Sequence, residues 1–312
     1  MRKNVLAFGE LLWDLLPDAT ILGGAPFNFA YRVNTLGDSG LMISRLGRDE
    51  LGESAFNKVE ALGLSTEGLQ WDANHPTGTV EVSFDEFNNP DYVIIPGVAY
   101  DHIEMTASLR AAASRSDCFC FGTLAQRASA SRDTLAQLLE SSPQSLKFLD
   151  INLRKLCYSR ESVISSLEAA DVLKLNEDEA REIAILFGMD QQDIPRFCQQ
   201  IGTAYDLKYC LVTFGDRGAF GAASGGAEVY VPGYVVELED PLGSGDAFSA
   251  GFVHKILRGA SLKQACQCGN AMGALVAATR GATAGVGMEQ IEEIMNDEAE
   301  RRVQPELEKY IG

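Results

Sequence analysis

The sequence predicts an α/β fold, a mainly parallel central sheet covered by helices on both faces with a small separate β-sheet, and three observations carry that reading. Apolar runs rich in β-formers, VLAFG, LMISRLG, CFCFG, KFLDIN, VLKLN and YCLVTFG, are separated by amphipathic segments such as Glu50 to Leu62 and Glu177 to Phe187. That alternation implies βαβ units and hence parallel pairing. Two regions break the rhythm: residues from about Glu10 to Gly24, and from about Thr77 to Pro96, read as short alternating strands, the second pair flanking the turn-forming Asn88-Asn89-Pro90. From Asp246 onward the pattern turns helical, first to Leu257 and then, Ala-rich with close-packing Gly269 and Gly273, from Ser261 to Thr279.

The two irregular regions are distant in sequence but alike in type, so one small sheet built from both is expected, projecting from the body where it could close over a ligand. The expected division is a body of residues 1–9, 25–76 and 97–312 and a lid of residues 10–24 and 77–96. The charged tail from Glu289 to Tyr310 reads as helical, and no internal repeat, low-complexity tract or interdomain linker interrupts the chain.

At 312 residues the chain can bury a large core and still carry an appendage. Its formal net charge of −18 argues against nonspecific binding to nucleic acid or anionic membranes. It also means that any phosphate ligand needs local donors and a metal ion to overcome the surface field. No apolar run approaches a membrane span, and Glu10 and Asp14 interrupt what would otherwise pass for a signal core at the N-terminus, so a cytoplasmic protein is expected. Seven scattered cysteines suit a reducing compartment, and the one-residue spacing of Cys118 with Cys120 and of Cys266 with Cys268 is not that of a common zinc knuckle. They read as small buried hydrophobes.

The segment with most chemistry is DPLGSGDAFSAGF, Asp240 to Phe252. Gly243, Ser244 and Gly245 carry so little bulk that consecutive N–H groups can face a phosphate beside the positive end of a helix dipole. Asp246 at such a turn would repel that ligand unless it has a task there, and accepting the proton of an attacking hydroxyl is the natural one. Its other reading is an ordinary helix N-cap. A second turn, GGAPFNFAYRVNTLG from Gly23 to Gly37, has Gly23 and Gly24 for close backbone approach, Pro26 for a first helical turn and Asn28 as donor and acceptor for a polyol. Asp14 could accept two hydroxyl protons of a sugar, or be solvated loop charge.

GGAPFN, then Ala30, Gly37 and Gly47 at their spacings, together with DPLGSGDAFSAG, resemble the two signatures of the ribokinase-like, phosphofructokinase B-type carbohydrate kinases. The resemblance runs from VLAFGE to RGATAGV and implies a ribokinase-like three-layer sandwich with a β-sheet lid over the sugar. It implies that LDINLR places Asn152 and Arg154 near the sugar or the transferred phosphate, and that NEDE, Asn176 to Glu179, organises Mg²⁺ and phosphate, with Glu179 acting on the metal through water. Capping of a helix is the plain alternative for that pair. TFGDRGAFG resembles the nucleotide-side strand and turn, with Thr213, Gly215 and Gly218 in place, and GNAMGALVAATRGATAG resembles the adenine-pocket region, with Asn270 the expected contact. Arg217 is an added cation there, read as solvated turn charge.

One departure stands out. Pro241 and Leu242 occupy places where the family's familiar form has threonines, so an N–H and a hydroxyl are lost next to the anion turn. An altered affinity for nucleotide or for a monovalent cation such as K⁺ is the expected consequence.

The implied activity is ATP-dependent phosphorylation of a sugar's primary hydroxyl, with Asp246 as both base and cap, Gly243 to Gly245 as anion hole and Mg-ATP as donor. GELLWDLLP, the proline of GGAPFN, and NPDYVI followed by AYDHI most resemble the bacterial fructokinases of this family. Fructose is therefore the first acceptor considered, with ribose, 2-keto-3-deoxygluconate and other sugars open, and a catalytically silent sugar-binding protein as the rival class. Phe27, Phe29, Tyr31, Tyr92 and Tyr100 are candidates to line the sugar site, several of them being core. No G-x-x-x-x-G-K-[ST] is present, and Phe248 stands where a dinucleotide fingerprint needs its third glycine. His75, His102 and His254 are isolated. Unpaired lid edges make a homodimer the expected assembly.

Overall fold

A computed structural model of the chain describes residues 1–16, 19–84, 90–191, 193–283, 285–296 and 299–311, and in it the apolar runs form the middle of a nine-stranded sheet. The strands are β1 (Asn4–Phe8), β4 (Ser39–Gly47), β5 (Leu69–Asp72), β8 (Cys118–Phe121), β9 (Leu146–Asp150), β10 (Val172–Asn176), β11 (Tyr209–Thr213), β12 (Ala219–Ala223) and β13 (Glu228–Val231). Their order is β13-β12-β11-β10-β9-β8-β1-β4-β5, parallel from β11 to β5, with β12 and β13 closing one edge antiparallel.

Side chains on a strand alternate between faces, and two apolar clusters follow from that. Val5, Ala7, Cys118, Cys120 and Phe148 pack on one side, while Leu6, Phe8, Phe119, Phe121 and Leu149 pack on the other. Helices α1 (Ala25–Thr35), α2 (Glu50–Ala61), α8 (Ser244–Ile256), α9 (Leu262–Ala277) and α10 (Met288–Asn296) supply the first cluster. The second is covered by α3 (Ala107–Ala113), α4 (Ser129–Glu140), α5 (Arg160–Ala169), α6 (Glu177–Phe187) and α7 (Ile194–Ala204). The result is the three-layer arrangement expected. All seven cysteines are buried and unpaired, as small core hydrophobes.

The two irregular regions do join. Strands β2 (Leu12–Leu16), β3 (Ala19–Gly23), β6 (Gly78–Phe84) and β7 (Pro90–Ile94) make a separate sheet in the order β3-β2-β6-β7. The long-range link is parallel pairing of β2 with β6, Leu12 opposite Gly78 and Asp14 opposite Val80. Asn88 and Asn89 of the expected turn, and the side chain of Tyr92, lie outside the described residues. Phe27, Phe29 and Tyr100 are core side chains, each no more than 2% exposed.

Two expectations need correction. The tail is helical only as α10, after which β14 (Gly233–Tyr234) pairs with β15 (Arg301–Arg302), and Pro305–Tyr310 forms a short 3-10 turn. Apolar anchors explain the departure: Leu307 is buried, Tyr310 meets Phe220 edge-on, and the Arg301 guanidinium lies 3.3 Å from the centre of the Tyr234 ring. The other correction concerns α8, which starts at Ser244 with Gly243 as its N-cap, so Asp246 is the third helical residue and not a cap. Gly243 takes that place because the turn requires φ of 77°, which an aspartate adopts at a cost.

Among the described residues no helix is long and apolar enough to cross a membrane.

Candidate active site

In an open parallel sheet, the carboxyl ends of the strands and the helix starts above them form the natural crevice for ligands. Here α8 begins over the ends of β9 and β10, and α1 brings Asn28 against it: Asn28 Nδ2 donates to Asp246 Oδ2 at 2.9 Å. The Asn28 side chain is buried, and its Oδ1 has no partner among the described residues. Since Nδ2 must face the carboxylate, the free acceptor is Oδ1, suited to a hydroxyl donor. Asp246, Asn152, Asp150, Phe29 and Glu10 line one small space.

Asp246 is driven to a pKa of about 7, first by burial and then by the nearby Asp150 carboxylate, against the opposing effects of Asn28, Lys174 and Arg154. Glu10, which in the sequence reads only as an interruption of an apolar run, also rises to about 7, chiefly by burial. It accepts from Ala25 N at 3.3 Å, holding the first turn of α1. Gly24 there has φ of 116°, and a Cβ would come within 2.3 Å of the Glu10 carbonyl oxygen, so only glycine fits. Gly23 has a related reason: a Cβ would lie 2.9 Å from Asp14 Oδ2. Burial raises the pKa of Asp14, while the exposed Arg154 lowers it, so Arg154 acts on Glu10, Asp14 and Asp246 together. Asn152 has φ of 42°, a strained backbone placed beside the carboxylates.

The turn itself is built differently from the expectation of three free N–H groups. Ser244 N already donates to Pro241 O at 3.2 Å, because the turn closes tightly before the helix begins. The N–H groups of Gly243, Gly245 and Asp246 have no acceptor among the described residues, so Asp246 takes the place of Ser244 beside the two glycines as an open backbone donor. Asp240 Oδ1 accepts from Leu242 N at 3.0 Å and its Oδ2 from Gly281 N at 3.1 Å, tying the turn to the segment after α9.

Ser244 and Gly245 also form one end of a cleft of about 470 Å³ that runs past Thr213, Gly215, Gly218 and Asn270. Asn270 Nδ2 donates to Val231 O at 2.9 Å, so its amide N–H is spent on the cleft wall. Two lining residues, Asp216 and Arg302, were not foreseen; they pair with each other, and Arg302 comes from the tail. Arg217 is more than a solvated turn charge: partly exposed, it bonds Glu177 at 2.6 Å and Gln304 at 2.5 Å.

Asn176 does not line this cleft: it caps α6, accepting from Glu179 N at 2.8 Å while Glu179 Oε2 accepts from Asn176 N at 2.8 Å. Glu179 Oε1 accepts from Leu153 N at 3.0 Å. Both oxygens of this buried carboxylate therefore hold backbone, which leaves it able to orient a metal-bound water more readily than to bind metal directly. No group of three or more metal-ligating side chains occurs among the described residues. A single carboxylate whose oxygens both hold backbone fits a Mg²⁺ that takes most of its ligands from phosphate and water.

Sequence reasoning also missed Lys174, Asp150, Ser249 and Arg32. The signal was present at Lys174, a lysine inside the apolar strand VLKLN, and at Arg32, a fully buried arginine donating to Ala282 O at 2.5 Å.

Residues 19–288 match the pfkB family carbohydrate kinase model. The chain belongs to that family. Among its curated relatives are the fructokinase-1 of Oryza sativa subsp. japonica, 26% identical over 310 residues with 89% of this chain and 93% of the relative covered, and the fructokinase of Vibrio alginolyticus, 27% identical with 90% and 94% covered. In fold it is similar to the Xylella fastidiosa fructokinase solved with bound ATP, TM-score 0.83 at 20% identity over 95% of this chain and 98% of the other. A Vibrio cholerae O395 fructokinase double mutant, solved with fructose, ADP and potassium, gives TM-score 0.79 at 22% identity over 95% and 100%. This chain is accordingly a carbohydrate kinase of ribokinase-like fold.

Proposed function

We propose that this carbohydrate kinase transfers the γ-phosphoryl group of ATP to a primary hydroxyl of a ketose, with D-fructose the preferred acceptor. The observation that carries the reading is the Asn28–Asp246 pair: a carboxylate poised near neutrality, clamped at 2.9 Å by an amide whose remaining oxygen is unpartnered. The fructokinase relatives, and structural neighbours holding ATP or fructose with ADP, support the choice of donor and acceptor.

Asn28 Oδ1, Asp14 and Asn152 orient the sugar, and Asp246 takes the proton of the attacking hydroxyl. The N–H groups of Gly243, Gly245 and Asp246, at the positive end of α8, stabilise charge developing on the transferred phosphoryl group, and Arg154 adds a cation from the sugar side. When bound, Mg²⁺ neutralises phosphate charge, with Glu179 holding one of its waters. Thr213, Gly215, Gly218 and Asn270 form the nucleotide side, and closure of the small sheet excludes water. A monovalent cation such as K⁺ acts beside the Asp240 turn, whose Pro241 and Leu242 set its affinity. The edge strands β3 and β7 pair two copies into a homodimer.

The test is a coupled ADP-release assay with Mg-ATP over fructose, ribose, 2-keto-3-deoxygluconate and other sugars, with and without K⁺. Fructose should give the highest kcat/KM. Preference for ribose or the deoxy acid would reassign the substrate, and sugar binding without ADP production would make the chain a silent binding protein.

A further inference from the structure

Directly behind the anion turn lies a buried ion pair that the proposed mechanism leaves unused. Lys174 Nζ donates to Asp150 Oδ1 at 3.0 Å, Ser249 Oγ donates to Asp150 Oδ2 at 2.8 Å, and the same hydroxyl lies 3.1 Å from Gly245 O. Lys174 and Asp150 are 6% and 7% exposed and Ser249 is fully buried, so three polar side chains on three elements satisfy one another away from water. Lys174 Nζ stands only 3.2 Å from where a Cβ on Gly245 would be, which sets its charge against the backbone just before Asp246. A buried ion pair is weak evidence of stability, because desolvation consumes much of the Coulomb gain. Its position beside the reacting carboxylate is a better reason for it.

We infer that Lys174 and Asp150 are positioning residues for Asp246: Asp150, held by Lys174 at the ends of β9 and β10, fastens α8 through Ser249 one turn beyond Asp246, and the pair balances the charge that faces the base. Asp150 opposes a second negative charge at Asp246, and Lys174 offsets that opposition. The remaining ionisable groups acting on Asp246 are Arg154 from the loop after β9, Glu10 after β1, Arg32 on α1 and Cys120 on β8. Glu10 lies on the negative side of this balance and Arg154 and Arg32 on the positive side, while burial keeps the Cys120 thiol protonated and uncharged. Among these groups the Lys174–Asp150 pair carries both signs, and its Asp150 is bonded to α8 through Ser249.

The inference rests on Asp246 being the base, and pH profiles of kcat/KM for the sugar keep the two ideas apart. Lys174→Met should move the acid limb up by about one pH unit and Asp150→Asn should move it down by about one, since removing a nearby charge shifts a buried carboxyl by roughly that much. The double variant Lys174→Met/Asp150→Asn should return the limb to within about 0.3 unit of wild type, as the two changes offset. If Lys174→Met does not fold, Asp150→Asn and the double variant still decide. Unmoved limbs, with activity falling only in step with melting temperature, would overturn the inference in favour of plain scaffolding. An Asp246→Asn enzyme with normal turnover would instead overturn the base assignment; an inactive one with unmoved limbs in the others overturns the positioning role alone.

Discussion

Replacing Asp246 with asparagine changes one oxygen for an amide at the centre of the site, and the structure gives two magnitudes for it. In turnover, loss of a positioned base removes roughly two to four orders of magnitude, about 3–5 kcal/mol of transition-state stabilisation. In stability the effect runs the other way. The carboxyl rises from its ordinary value of 3.8 to about 7 on folding, so the folded chain binds more protons than the unfolded one between those values. What the carboxyl contributes to stability is fully present below about pH 4 and lost as the pH rises through about 7. At pH 8 wild type therefore carries a penalty on the order of 2–4 kcal/mol, allowing for the part of the side chain that still meets water. The Asp246→Asn variant carries none, and its new amide oxygen can still accept from Asn28. Urea unfolding at pH 8 should show Asp246→Asn more stable by that amount, the difference shrinking towards zero near pH 4, while fructose binding persists and ADP release collapses. Near-wild-type turnover, or no stability gain at pH 8, refutes the reasoning.

Other expectations follow from the same geometry. Glu10→Gln should lower the acid limb of kcat/KM by a few tenths of a pH unit, because one negative charge facing Asp246 disappears; an acid limb abolished by this change would assign the limb to Glu10. Asn28→Ala removes the donor that holds the Asp246 carboxylate down and the free acceptor beside it, so both the acid limb and the KM for sugar should rise, the latter about tenfold, read by steady-state kinetics at several pH values. Gly243→Ala must hold φ of 77° and place a Cβ 2.6 Å from that of Ala282, costing about 1–3 kcal/mol of stability by urea melts and lowering kcat by at least tenfold. Arg302→Ala should raise the KM for ATP about three- to tenfold with the KM for fructose unchanged, the expected loss of one partly exposed cation from the nucleotide cleft.

The six apolar runs were legible as strands because a sheet covered on both faces leaves almost no polar position in them, and the small sheet was legible because TGTVEVSF alternates. Residues whose roles are local, such as Gly24 at a forced positive φ or Asn176 at a helix start, also show in the sequence. What stayed hidden depends on side chains meeting across long sequence gaps. Nothing near Asp150 announces that Ser249 will bond it, and no pattern places Arg302 in the same cleft as Thr213. Glu10 reads as a break in an apolar run because its burial is created by α1 folding over it. The tail misled for a related reason: its charges suggested a solvated helix, while three side chains, Arg301, Leu307 and Tyr310, decide its course through contacts with distant partners. The Ser244 N–H is taken by the Pro241 carbonyl oxygen, a backbone bond that no side chain in the turn announces.

The central claim, phosphoryl transfer to a ketose hydroxyl at Asp246, is tested most directly by following the phosphorus of Mg-ATP by ³¹P NMR with fructose and the wild-type chain at pH 8. The account predicts that the γ-phosphorus signal decays as a sugar phosphomonoester signal and ADP grow in equal amount, and that Asp246→Asn, still binding fructose, leaves the spectrum unchanged over the same time. Conversion of ATP to ADP and free phosphate without the ester, or ester formation at an undiminished rate in Asp246→Asn, would contradict it.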